Sequence, residues 1–205
     1  MKKIIYSLLA LVLCSLLLTG CGNASTQSVN GSSYSVTDSQ GTQVQFSQKP
    51  QRIVTLSMST DEIVLGLVKT DSLAAVNYLL DDPTCSNITA LAQKIPTKIK
   101  NPSAEEIFAM NPDIVIVPNW NNITIVDNLR DLGLKVVVVP GAKNITEVKQ
   151  SIQLIADSIG EHDKGQQLIG LMDEKLADIK TKVDNRESLS DEDKKIIDTN
   201  AKRKK

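Results

Sequence analysis

The chain has 205 residues, a formal charge of −1 and a composition that is 41% hydrophobic but only 3% aromatic. That profile fits an ordinary globular protein, long enough for one domain with a real core. Basic side chains gather only in the last four positions, "KRKK", which leaves no stripe for a nucleic acid.

The first segment, "MKKIIYSLLALVLCSLLLTGCG", places two lysines before an apolar run from Ile4 to Leu18. The run is short for a membrane span and has the layout of a secretory signal, which sets residues 1–20 aside from the fold. At its end, Leu18-Thr19-Gly20-Cys21 resembles the lipobox of bacterial lipoproteins. The resemblance implies a diacylglyceryl group on Cys21 and a lipid anchor on the extracytoplasmic face of the cell membrane. Two acyl chains hold stably where one would come and go. Residues 21–33, small and polar, form a flexible tether that keeps the domain roughly 20 Å from its anchor. Cys14 leaves with the signal, so Cys85 has no partner and no internal disulfide is available.

"YSVTDSQGTQVQF" alternates about Ser39-Gln40-Gly41 and predicts a β-hairpin. After Pro50, "RIVTLS" predicts a buried strand and "TDEIVLGLV" a helix, with Asp61 and Glu62 in its first turn as dipole stabilisers. "LAAVNY" is a weaker strand, and residues 81–100 show no element. Ser103 and Glu106 then form a capping box, Pro112 ends that helix, and "DIVIVP" is an apolar strand of the kind covered on both faces. "NNITIVDNLRDLG" predicts a helix stopped by Gly133, "LKVVVVP" another strand, and "NITEVKQSIQLIADSIG" a helix capped by Asn144 and Glu147. Asn122 and Asn144 open helices, so capping explains the "NIT" triplets better than glycosylation does. Strands alternating with helices through short loops indicate an α/β fold, a doubly wound parallel sheet, over residues 34–160.

From about Glu161 the pattern changes. Leu168, Met172, Leu176, Ile179 and Val183 fall on one face of a long helix, residues 161–185, that should bury its stripe on both sides. Residues 186–205 are a charged tail.

In open α/β sheets, ligands bind outside the carboxyl ends of the strands. Those ends carry Ser57, Met58, Ser59 and Thr60, then Asn77 and Tyr78, then Asn119, Trp120 and Asn121, and then Gly141, Ala142 and Lys143. An aromatic plate among hydroxyls and amides suits a large flat or amphipathic ligand rather than a bare ion; alternatively, Trp120 and Tyr78 simply cover the sheet end. Catalysis finds little support. There is no phosphate-cradling glycine loop and no nucleophile elbow, and the single histidine, His162, opens the long helix away from the strand ends. The expectation is a protein that is not an enzyme and has neither a cofactor nor a resident metal site.

The segments "QRIVTLSMSTDEIVLGLV", "NPSAEEIFAMNPDIVIVPN", "LRDLGLKVVVVP" and "ITEVKQSIQLIADSIGE" together resemble the substrate-binding proteins that deliver iron–siderophores, haem or cobalamin to ABC importers. The resemblance runs from about Tyr34 to Val183. It implies an N-terminal lobe followed by a long inter-lobe helix, a ligand in the cleft between two lobes, and a surface glutamate on each lobe that docks on the permease dimer. By motif position Glu105 is that glutamate, with Ile107, Phe108 and Met110 on the buried side. A rim charge of this kind would steer docking more than supply affinity. The family's second lobe should begin with a strand near "KKIID", and the chain reads as a copy truncated there, with impaired binding. The alternative is a non-transporting surface lipoprotein whose lobe folds but lacks a working cleft.

Overall fold

The computed structural model describes residues 33–185 and 190–203. The signal, Cys21 and nearly all of the tether lie outside the described residues. Strands β1 (Tyr34–Thr37) and β2 (Gln43–Phe46) form the expected antiparallel hairpin. Gly41, at φ +83°, lies in the left-handed region that its turn requires. The Asp38 carboxylate organises that turn. One oxygen accepts the N–H groups of Gln40 and Thr42, and the other accepts Arg130 Nη2 at 2.9 Å.

The main sheet contains β3 (Ile53–Thr55), β4 (Leu73–Asn77), β5 (Lys98–Ile99), β6 (Ile114–Pro118) and β7 (Val136–Val139). All pairings are parallel, in the order β5-β4-β3-β6-β7. Every residue of β3, β6 and β7 is buried, which is why these strands show no polar alternation. Successive side chains feed opposite faces: Ile53, Ile114, Ile116 and Val137 join one cluster, and Val54, Val115, Val117 and Val138 the other. The hairpin lies against the outer flank of β7, where the Ser39 N–H donates to the Val138 carbonyl at 2.9 Å.

Helices cover both faces. Helix α1 (Met58–Leu67), the single turn α2 (Thr89–Ala92) and α5 (Ile145–Ser158) supply Val64, Ala92 and Ile155 to the first cluster. Helices α3 (Ala104–Ala109) and α4 (Ile123–Asp131) supply Ile107 and Leu129 to the second. The caps fall where the sequence places them. Ser103 and Glu106 make the reciprocal box, the Asn122 side chain accepts the Thr124 N–H, and the Asn144 side chain accepts that of Glu147. The long helix α6 (His162–Asp184) crosses α5 at its own start. Gly165 makes the crossing possible, because a β-carbon there would lie 2.4 Å from Ala156 Cβ.

Four expectations need correction. Residues 81–100 are not featureless: a 3₁₀ turn spans Tyr78–Asp81, and α2 and the two-residue β5 follow. Phe108 is exposed, while Ile107 and half-buried Met110 serve the core. "KKIID" is not a strand but part of helix α7 (Asp191–Arg203). The stripe of α6 is also only partly covered. Leu168 packs against the first cluster, whereas Ile179 and Val183 stand exposed.

A candidate ligand rim at the carboxyl edge of the sheet

From β3 the chain winds through β4 to β5 on one side, and from β6 to β7 on the other. The winding reverses between β3 and β6, and the loops that leave these two strands diverge and open a crevice there. The Ser57–Thr60 turn leaves β3 and the Asn119–Asn121 loop leaves β6, so both border the crevice. Asn77 and Tyr78 follow β4, the next strand along the same edge. Ser57, Tyr78 and Trp120 therefore share one edge of the sheet rather than scattering over the molecule.

Within the crevice lies a cavity of about 360 Å³ bordered by Ser59, Thr60, Ile63, Trp120, Gly141 and Ser151. Its lining is apolar apart from hydroxyl and backbone groups, and no charged side chain borders it. Trp120 is 63% exposed and lies directly over Gly141, where a β-carbon would come within 2.7 Å of the indole Cδ1. The Asn119 side-chain oxygen holds that glycine by accepting its N–H at 2.8 Å. A second depression of about 260 Å³ is bordered by four asparagines, Asn77, Asn101, Asn121 and Asn122. The oxygens of Asn77 and Asn122 are occupied by the N–H groups of Leu79 and Thr124, so their amide N–H₂ groups are the donors left to this hollow.

The remaining candidates divide. Ser57 is buried as the cap of α1: its Oγ accepts the Thr60 N–H at 3.3 Å and lies 2.8 Å from Thr60 Oγ1. Met58 is half-buried against the core. Tyr78 borders neither hollow, and its ring lies under the Lys100 ammonium at 4.9 Å. Gly141, placed at a strand end by the sequence, does border the cavity, whereas Asn101, an asparagine before Pro102 that takes φ +49°, was not among the candidates. Ile63 and Ser151 reach the cavity from helices and had no signal in the sequence.

Asp61 departs most from expectation. Rather than an exposed acid at a helix start, it is fully buried beneath the rim. One carboxylate oxygen accepts the Thr55 hydroxyl and the other accepts the Asn77 backbone N–H at 2.8 Å. Burial pushes its pKa up to about 7, against the opposing pull of these hydrogen bonds. His162 lies at the α5–α6 junction, its Nδ1 2.6 Å from Asp157 Oδ1. Among the described residues, no group of three or more histidine, cysteine, aspartate or glutamate side chains gathers as a metal centre would require. Cys85 is exposed and free. Of the two acids that open α3, Glu106 accepts the Ser103 N–H at 2.7 Å, which leaves Glu105 exposed with no capping duty.

Residues 53–197 match the profile of the family described as periplasmic binding protein. The chain belongs to that family. Among its curated relatives is an uncharacterised ABC transporter substrate-binding lipoprotein, YvrC of Bacillus subtilis, 27% identical over 84% of this chain and 57% of the relative. A cobalamin-binding protein of Halobacterium salinarum is 28% identical over 60% of this chain and 33% of that protein. The crystal structure of a periplasmic solute-binding protein from Veillonella parvula superposes with a TM-score of 0.62 at 19% identity, over 78% of this chain and 50% of the other. That likeness shows the fold. The chain thus spans about half the length of the Bacillus subtilis and Veillonella parvula proteins.

Proposed function

We propose that this periplasmic binding protein is a lipid-anchored, extracytoplasmic receiver for an ABC importer, and that its rim forms one wall of a site for an iron complex (siderophore or haem) or cobalamin. The observation that carries this reading is the Trp120 indole laid on Gly141 beside Ser59 and Thr60, at the point where the winding of the sheet reverses. An exposed aromatic plate ringed by neutral donors and acceptors offers stacking area and orientation to a flat, amphipathic molecule without demanding a charge. The name of the Bacillus subtilis relative supports the transport role, and that of the Halobacterium salinarum relative supports cobalamin. Cys21 carries the anchor and Glu105 meets the permease.

The test is a titration of the full chain with cyanocobalamin, haem and a ferric siderophore, followed by isothermal titration calorimetry. Saturable binding of one of them, weakened at least tenfold in Trp120→Ala, is the expected result. Absence of saturable binding to all three would reverse the reading in favour of a non-transporting surface lipoprotein. The exposed turns of α6, with Leu171, Ile179 and Val183, speak for that second reading, since they offer a face to another protein.

A further inference from the structure

We propose that Asp61 is a positioning residue of the rim, coupling the loop after β4 to the turn that opens α1 so that their relative placement follows its protonation. The geometry carries the inference. Asp61 belongs to the first turn of α1, where its own N–H donates to the Ser57 carbonyl at 3.0 Å. Its carboxylate reaches Thr55 at the end of β3 and the Asn77 N–H at the end of β4. One fully buried side chain thus joins two neighbouring strand ends and a helix start, directly below Ser59 and Thr60 on one side and Asn77 and Tyr78 on the other. Hydrogen bonding does not require the acid to be charged. As the neutral acid it donates to Thr55 Oγ1 and still accepts from Asn77, whereas as the carboxylate it accepts from both.

The charged groups acting on it are few. Glu62, on its own helix, opposes ionisation, and Lys98, on β5, favours it. The balance with desolvation leaves the carboxyl titrating near pH 7. A charged acceptor draws its donors in more closely than a neutral one, so deprotonation tightens the Asn77 contact and acidification slackens it. The two hollows of the rim, one bordered by Thr60 and the other by Asn77, would then shift relative to each other as pH crosses neutrality.

The experiment needs no ligand, so its failure and the failure of the importer reading are separate results. In two-dimensional ¹⁵N–¹H spectra of the full chain between pH 5 and 9, the Asn77 and Thr60 amide signals should move with one common midpoint near neutrality. The Asn77 proton should move downfield as pH rises. In Asp61→Asn, which keeps an acceptor for Asn77 and offers a donor to Thr55, both signals should stay fixed. Movement that persists in Asp61→Asn, or no movement in the unmodified protein, overturns the proposal. Should Asp61→Asn not fold, the ¹³C carboxyl resonance of Asp61 in the unmodified protein decides: a midpoint different from that of the Asn77 amide also overturns it.

Discussion

Asp61 shows how a residue can be plain in the sequence and still be misjudged. An acid in the first turn of a helix is ordinarily an exposed partner of the helix dipole. Its burial follows from a neighbour the local pattern does not reveal, the end of β4, whose Asn77 N–H needs an acceptor. Stability carries the signature. The folded carboxyl titrates at about 7 against an ordinary 3.8, so between these values the folded state holds a proton that the unfolded chain has released. Stability contributed by this group is therefore fully present at acid pH and lost as pH rises through that window. At roughly 1.4 kcal/mol per pH unit, the ceiling is about 4 kcal/mol. The urea midpoint should fall from pH 4 to 7 in the unmodified protein and fall less in Asp61→Asn. Gly141 is the other decisive residue. In Gly141→Ala the new methyl group displaces the indole, and the emission maximum of the single tryptophan should shift while the unfolding midpoint changes little.

Elements were legible in proportion to their length and period. The capping box at Ser103, the asparagine caps and the apolar strands β6 and β7 stand where local chemistry alone puts them. The stretch from 81 to 100 was opaque because its elements are too short to establish a period: one helical turn and a two-residue strand held by the edge of β4. Contacts between elements were opaque for a different reason, since they depend on pairs distant in sequence. Gly165 and Ala156 are such a pair. In Gly165→Ala the methyl group wedges α5 from α6, and despite the better helix propensity of alanine, stability should fall by about 1–2 kcal/mol in urea denaturation. Asp38→Ala should cost more, about 2–3 kcal/mol, by stranding the turn N–H groups and Arg130. Its readout is faster amide exchange over 34–46.

At the scale of the whole molecule, the sequence disclosed the layered α/β architecture and placed the candidate loops on one edge. It did not disclose which loop residues turn into the hollows. Ser57 and Trp120 occupy equivalent places after their strands, yet one closes a helix cap and the other lies open. Side-chain direction at a strand end is set by the next element, and that is not a local property. From its middle onward α6 presents Leu171, Ile179 and Val183 to solvent. Apolar area left bare in this way favours association, so sedimentation should show a concentration-dependent dimer that Ile179→Asp with Val183→Asp returns to monomer, with the circular dichroism unchanged.

The hairpin beside β7 bears on what form that association takes. Its turn occupies backbone groups on one flank of the sheet, and the opposite flank ends in a strand only two residues long. Neither border offers an incoming chain a lengthy template for cross-β growth. Clusters of this protein should therefore dissolve on dilution and leave thioflavin dark, because they are held by greasy helix faces rather than by shared backbone ladders.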